Sequence, residues 1–196
     1  MDPLKITQSL VRDLKKLQFA EPVTHVYNPL VYAGSPHKEY LERYGQKPVD
    51  YVLLGMNPGP FGMVQTGVPF GEIAAVRDWM GIKAPIKVPK LQHPKRLIQG
   101  FDCPRSEVSG ARLWGWAEKR FGTPKRFFKQ FAVLNYCPLA FLEQSGKNRT
   151  PDKLQAEERE ALTKICDKAL GRFIDFYQPK MVIGIGVYAE KRAKLA

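Results

Sequence analysis

YVLLGMNPGP, residues 51–60, opens on four apolar residues and passes at once into glycine, asparagine and two prolines. An apolar run this short, closed by turn residues, predicts a buried strand that stops at a loop. Two further runs have the same character: FAVL at Phe131–Leu134 and MVIGI at Met181–Ile185. All three are rich in Val, Ile, Leu and Phe and lack polar alternation, as strands covered on both faces of a sheet do.

Helical patterns lie between and around these runs. One helix is predicted from about Pro151 to Phe176, with Thr150 as N-cap, Pro151 at the first helical position and an apolar stripe of Leu154, Leu162, Ile165, Ala169 and Phe173. A second covers Ser109–Arg120, and a shorter one Ile73–Trp79. Near the N-terminus, Leu10, Val11, Leu14 and Leu17 recur at helical spacing, predicting an amphipathic helix rather than a signal peptide or a membrane span. Strands alternating with helices give an α/β protein with an open, mainly parallel sheet flanked by helices. A chain of 196 residues with 44% apolar content suits one domain over 1–196. The Pro-rich stretch Pro85–Pro104 breaks the rhythm and reads as a long surface loop.

The charge is lopsided. Lys and Arg number 31 against 19 Asp and Glu, a formal net charge of +12. Between residues 83 and 126, eleven basic residues face only Asp102, Glu107 and Glu118, interleaved with Phe101, Trp114, Trp116 and Phe121. That pattern suits a surface facing phosphates, and equally a solvated basic face that keeps the protein soluble. The three cysteines, Cys103, Cys137 and Cys166, are odd in number and widely spaced, so they form neither a disulfide framework nor a metal box; buried thiols and no metal are expected.

In a parallel sheet, ligands bind outside the carboxyl ends of the strands. The first strand runs into Gly55, Met56, Asn57, Pro58 and Gly59, and the second ends at Asn135, so two asparagines face one crevice. Taken alone, GMNPGP is also explained by a plain turn, since Asn-Pro and Pro-Gly are turn dipeptides.

The longer stretch GMNPGPFGMVQTGVPFGE, Gly55–Glu72, resembles the first motif of the single-strand-selective monofunctional uracil-DNA glycosylases. The resemblance continues through HPKR (His93–Arg96), CPRSEVSGARLWGW (Cys103–Trp116), NYCPLAFL (Asn135–Leu142), SGKNRTP (Ser145–Pro151) and the last strand. It implies a uracil-DNA glycosylase-like fold and a DNA-repair hydrolase of base excision. Such an enzyme flips a uracil-type base, including 5-substituted uracils such as 5-hydroxymethyluracil, out of the DNA and cuts its N-glycosidic bond, leaving an abasic site. It uses no cofactor. By resemblance, Asn57 positions the attacking water and Asn135 reads the Watson–Crick edge. Phe70 stacks on the base, and Met56, Gly59 and Met63 line the pocket near the base carbonyl and 5-position. The expected partner is single- and double-stranded DNA containing uracil, with no membrane and no metal, for a monomer inside the cell, in a nucleus or a bacterial nucleoid.

One part of the family pattern is missing: a His-Pro-Ser type segment that follows a further strand and supplies a histidine stabilising charge on uracil O2. The histidines here are His25, His37 and His93, and His93 falls in HPKR, which matches a different part. The expectation is a sequence lacking its C-terminal strand and motif, so that a polypeptide of residues 1–196 excises uracil very slowly or not at all. The alternative is a non-catalytic or strongly impaired DNA-binding form. A dinucleotide-binding reading of GIGVYA, Gly184–Ala189, lacks the following strand and acidic residue that such a fingerprint needs.

Overall fold

A computed structural model describes residues 2–195. In chain order its elements are α1 (Pro3–Leu14), β1 (Val23–Tyr27), α2 (Pro29–Tyr32), α3 (Gly34–Tyr44), β2 (Tyr51–Gly55), α4 (Met63–Thr66), α5 (Val108–Phe121), α6 (Pro124–Phe128), β3 (Phe131–Asn135), β4 (Ala140–Glu143), β5 (Asn148–Arg149), α7 (Ala156–Tyr177), β6 (Met181–Gly184) and α8 (Val187–Ala193). The three apolar runs form one parallel sheet in the order β3-β2-β6, with Tyr51 opposite both Phe131 and Met181.

The absence of alternation in β2 and β3 has its reason in the packing. Val52, Leu54, Ala132 and Leu134 join Ile6, Leu10 and Leu14 of α1 and Leu162, Cys166 and Phe173 of α7 in one core cluster. Leu53 and Val133, one residue out of phase, join Tyr40, Leu41, Trp114, Phe127 and Phe128 in a second cluster on α3, α5 and α6. Both faces of the central strand are therefore covered, and each fully buried side chain of this kind contributes roughly 1.5–3 kcal/mol. At the β6 edge, Met181 and Ile183 stay exposed.

The structure adds a second sheet that the sequence pattern did not announce. β1, β4 and β5 pair antiparallel, with His25 opposite Leu142 and Phe141 opposite Arg149. β1 is short and half exposed, carries a register irregularity between Val23 and His25, and finds its partner more than a hundred residues away, so no local periodicity marks it.

Helix boundaries differ in two places, the first being α1, which stops at Leu14 and leaves Leu17 beyond it. Pro151–Lys153 is a separate 3-10 turn whose Thr150 makes no side-chain cap, and the long helix starts at Ala156. Gln155 and Glu158 form a capping box there, and the Glu158 carboxylate also accepts from Ala20 N–H at 2.6 Å. That long-range tie adds to the local cap. The short Ile73–Trp79 helix ends in a π-helical turn at Ala75–Trp79. Residues 85–104 are irregular apart from a 3-10 turn at Gly100–Asp102, yet they are not wholly superficial, because His93, Ile98 and Cys103 are buried.

His37 links the helical layer to the loop that follows β2. Its Nδ1–H donates to Gly67 O at 2.8 Å, and the Thr7 hydroxyl lies 3.5 Å from Nε2. Burial pushes its pKa from 6.5 down to about 4, against a smaller opposing effect of the Gly67 carbonyl. The unfolded chain then binds a proton that the folded protein refuses. Stability is complete above pH 6.5 and falls as the pH drops from 6.5 towards 4, by up to roughly 3 kcal/mol from this group. Denaturant titrations of wild type and His37→Gln at pH 7 and pH 4.5 check this: the variant should lose less stability over that interval.

Candidate active site

Pairing of β2 with β3 ends in register at Gly55 and Asn135, and it continues beyond the strands. Tyr136 N–H donates to Gly55 O at 2.8 Å and Cys137 N–H to Met56 O at 2.9 Å. The loop after β2 and the end of β3 are thereby fixed side by side. Around them lies a cavity of about 220 Å³ lined by Met56, Asn57, Pro58, Gly59, Met63, Phe70, Glu107, Ser109, Asn135, Asn148 and Ile185. All six residues singled out in the sequence, Met56, Asn57, Gly59, Met63, Phe70 and Asn135, line this one cavity. A larger groove of about 610 Å³ between Trp79, Trp114 and Pro124 contains neither asparagine.

Each wall has a local cause. Asn57 Nδ2–H donates to Leu139 O at 3.2 Å, which turns the amide so that its oxygen remains free to accept a hydrogen bond. Asn135 directs its Nδ2 at the Met63 sulfur, 3.1 Å away, a weak acceptor that a carbonyl oxygen can replace. A Cβ on Gly55 would collide with Asn135 Oδ1 and come within 2.6 Å of the Phe70 ring, so only glycine lets both approach the strand end. Phe70 has φ 53°, a left-handed conformation unusual for an aromatic residue. Trp114 Nε1–H holds its carbonyl at 2.9 Å, and the bare backbone of Gly110 lies against the same carbonyl.

Against known proteins, the chain is 49% identical to the single-strand selective monofunctional uracil DNA glycosylase of Mus musculus, a match covering all of this chain and 74% of the relative. The chain belongs to the single-strand-selective monofunctional uracil-DNA glycosylase family. The corresponding glycosylases of Bos taurus and Rattus norvegicus are 50% and 52% identical over 94% of this chain and 68% and 66% of their own lengths. The chain thus spans about two-thirds to three-quarters of the length of these glycosylases. The crystal structure of wild-type SMUG2 from Pedobacter heparinus superposes with a TM-score of 0.53 at 20% identity, covering 91% of this chain and 85% of that one; it bears on the fold alone. No protein-family model matches the chain.

Sequence reasoning about this glycosylase missed Pro58, Glu107, Ser109, Asn148 and Ile185 in the cavity wall. Asn148 is a brace: Nδ2–H donates to Pro58 O at 2.9 Å while Oδ1 accepts from Phe141 N–H at 3.3 Å, clamping the loop to the antiparallel sheet. Glu107 had a legible signal, as one of only three acids in an otherwise basic stretch. Burial raises its pKa above the usual glutamate range, opposed by the N–H groups of Phe61 and Ser109.

Gln65, 2% exposed, joins the cavity loop to the basic loop. Nε2–H donates to Pro60 O and Leu97 O, and Oε1 accepts from Gln99 N–H and Gly100 N–H, at 2.8–3.1 Å. Gln65→Leu leaves four backbone groups without partners, each costing about 1–3 kcal/mol if it stays dry. The expected loss is ~3 kcal/mol or more, read from chemical unfolding midpoints.

Of the eleven basic residues between 83 and 126, ten are exposed and Arg96 is half-buried, and none forms an ion pair among the described residues. Arg105 and Arg96 stand 4.3 and 5.5 Å from the ring centre of Phe61, in the cavity loop, so unneutralised guanidinium charge borders the site. No group of three or more His, Cys, Asp or Glu suited to a metal ion, and no helix long and apolar enough to cross a membrane, occurs among the described residues. Nor does a histidine line the cavity: His93 bonds Gln144 O and Lys95 N–H through its two ring nitrogens, and its ring stands 5.0 Å from that of His25.

Proposed function

We propose that this cavity takes up a uracil-type base flipped out of DNA and that its N-glycosidic bond is hydrolysed there, the base-excision step of DNA repair. The observation that carries the reading is the convergence of Asn57 and Asn135, from the ends of two adjacent parallel strands, on one cavity beside the Phe70 ring.

The roles follow from hydrogen-bonding capacity. Asn135 donates from its NH₂ to a pyrimidine carbonyl and accepts the ring N–H; cytosine offers the reverse pattern and would leave buried groups unpaired. Phe70 supplies the stacking face, and Met56, Gly59 and Met63 wall the base. Asn57, its amide held by Leu139, presents an oxygen to the attacking water. A neutral amide orients water without being a strong base, which suffices when the glycosidic bond is largely broken before attack. The exposed basic stretch faces the phosphates of single- or double-stranded DNA. A DNA substrate is in keeping with a protein inside the cell.

The test is a single-turnover reaction of excess protein with an end-labelled oligonucleotide containing one uracil, followed by alkali. Strand breaks confined to the uracil position are expected. Binding that prefers uracil to cytosine, without breaks, is the outcome for an impaired DNA-binding form. Neither breaks nor preference for uracil sinks the reading.

A further inference from the structure

The roles above leave one aromatic side chain of the basic stretch without a task. Trp116 of α5 is 46% exposed, whereas Trp114 is buried and Trp79 half-buried. The rings of Phe127 and Phe131 are stacked on each other, 4.8 Å apart and nearly parallel, and they stand 6.1 and 5.9 Å from the Trp116 ring at close to a right angle. Two stacked rings almost equally distant from a third present their edges to it. Phe121 adds another near-perpendicular contact at 5.7 Å. The indole therefore lies with one face across ring edges, the arrangement in which ring quadrupoles attract, and turns its other face to solvent.

Positive charge frames that open face. Arg112, four residues before Trp116, and Lys119 and Arg120, three and four after it, share its side of the helix. All three are exposed, and none forms an ion pair among the described residues. Arg120 stands 5.6 Å from the centre of the Phe121 ring, beside the indole. The acid of α5, Glu118, lines a different groove, with Trp79 and Trp114. A flat apolar face framed by cations fits a nucleobase with its phosphates, because stacking accepts any base and the cations hold the backbone. An acidic peptide would satisfy the cations and leave the indole bare. Duplex DNA would do the same, since its base faces are covered by neighbouring bases.

The platform is continuous with the cavity. Glu107 and Ser109, at the start of α5, belong to the cavity wall. The seven residues from Ser109 to Trp116 carry the helix about 10 Å at a rise of 1.5 Å each. At the ~3.4 Å per nucleotide of a stacked strand, this is about three nucleotides from the flipped base.

We propose that Trp116, with Arg112 and Arg120, is a docking platform for single-stranded DNA, on which a base about three nucleotides from the flipped one stacks. The starting point of the strand rests on the glycosylase reading given under Proposed function; the stacking does not.

The test reads binding by fluorescence anisotropy. Each single-stranded probe carries one 2′-fluoroarabino nucleotide, which resists glycosidic cleavage, with uracil or cytosine as its base and thymidine flanks of none to about six nucleotides on the 5′ or the 3′ side. For wild type, lengthening one of the two flanks to about three nucleotides should raise affinity about tenfold or more. Trp116→Leu should lose that gain and Trp116→Phe keep most of it, with the preference for uracil over cytosine unchanged in both, since Trp116 stands outside the cavity. The same probes annealed to a complement should bind wild type and Trp116→Leu within about twofold. Thermal melting checks that the variants fold. Arg112→Gln with Arg120→Gln leaves the aromatic cluster untouched and should also lower the flank gain, with a shallower salt dependence. A full flank gain in folded Trp116→Leu, or an equal loss on single strand and duplex, overturns the proposal. So does self-association of wild type that Trp116→Leu abolishes while its DNA affinity stays the same, which gives the face to a second copy of the chain. A uracil-free thymidine strand of about twelve nucleotides should likewise bind Trp116→Leu about tenfold more weakly than wild type, so a wild type that does not prefer uracil over cytosine overturns the glycosylase reading alone.

Discussion

Replacing Asn57 by alanine is expected to slow uracil excision by at least about a hundredfold while leaving oligonucleotide binding within about threefold of wild type. The Asn57 amide is anchored on one side, by the 3.2 Å bond from Nδ2 to Leu139 O, and in the proposed reading its oxygen meets the attacking water. Removing it costs little binding energy, because the base is gripped elsewhere, but lets the nucleophile drift. Asn57→Asp is the informative second variant. It keeps an acceptor for water but sets a carboxylate against the Leu139 carbonyl, which repels it. If the anchored orientation matters as much as the acceptor, Asn57→Asp should also fall well below wild type. Single-turnover rates at saturating protein, compared with affinities for a non-cleavable uracil oligonucleotide, separate the two effects. A parallel fall in rate and affinity would count against a water-positioning role.

Asn135→Asp is expected to produce the other large change, in selectivity. Uracil presents an N–H donor beside a carbonyl acceptor, and an amide side chain matches both, whereas a carboxylate can only accept. The uracil carbonyl then faces negative charge in a cavity that already holds the Glu107 carboxylate. Affinity for uracil should fall about a hundredfold, and the preference over cytosine should nearly vanish. Binding titrations with non-cleavable uracil and cytosine oligonucleotides read this directly. The same variant also loses the amide contact to Met63, so a melting curve is needed to show that the fold is intact.

The recognition loop owes its precision to groups far from it in sequence. Asn148 grips Pro58, Leu139 grips Asn57, Leu97 is tied to Pro60 through Gln65, and His37 grips the carbonyl of Gly67. Gly67 closes α4 with φ 74°, where an added Cβ would strike the Ala33 carbonyl. A loop held from so many directions keeps its shape without substrate. Preorganisation of this kind lets binding energy go into discrimination rather than into ordering the site.

Much of this was legible in the chain of letters. The three apolar runs are the three parallel strands, and β2 and β3 lack polar alternation because both their faces are covered; β6, at the edge with Met181 and Ile183 exposed, is not the doubly covered strand its composition predicts. The place of the candidate cavity followed too: residues directly past β2 and β3 stand at the carboxyl ends of neighbouring strands, and the GMNPGP stretch with Asn135 lies along it. What only the tertiary structure decided depends on partners distant in sequence. The antiparallel sheet joins β1 to β4 across more than a hundred residues. Glu158 of the local capping box at the start of α7 is also held by the distant Ala20 N–H. Glu107, just before α5, and Asn148, in β5, enter the cavity wall 46 and 90 residues away from their hydrogen-bond partners Phe61 and Pro58. Periodicity and turn chemistry record forces acting within a few residues of one another; these contacts exist only once the chain has folded back on itself, which is why no local pattern carried them.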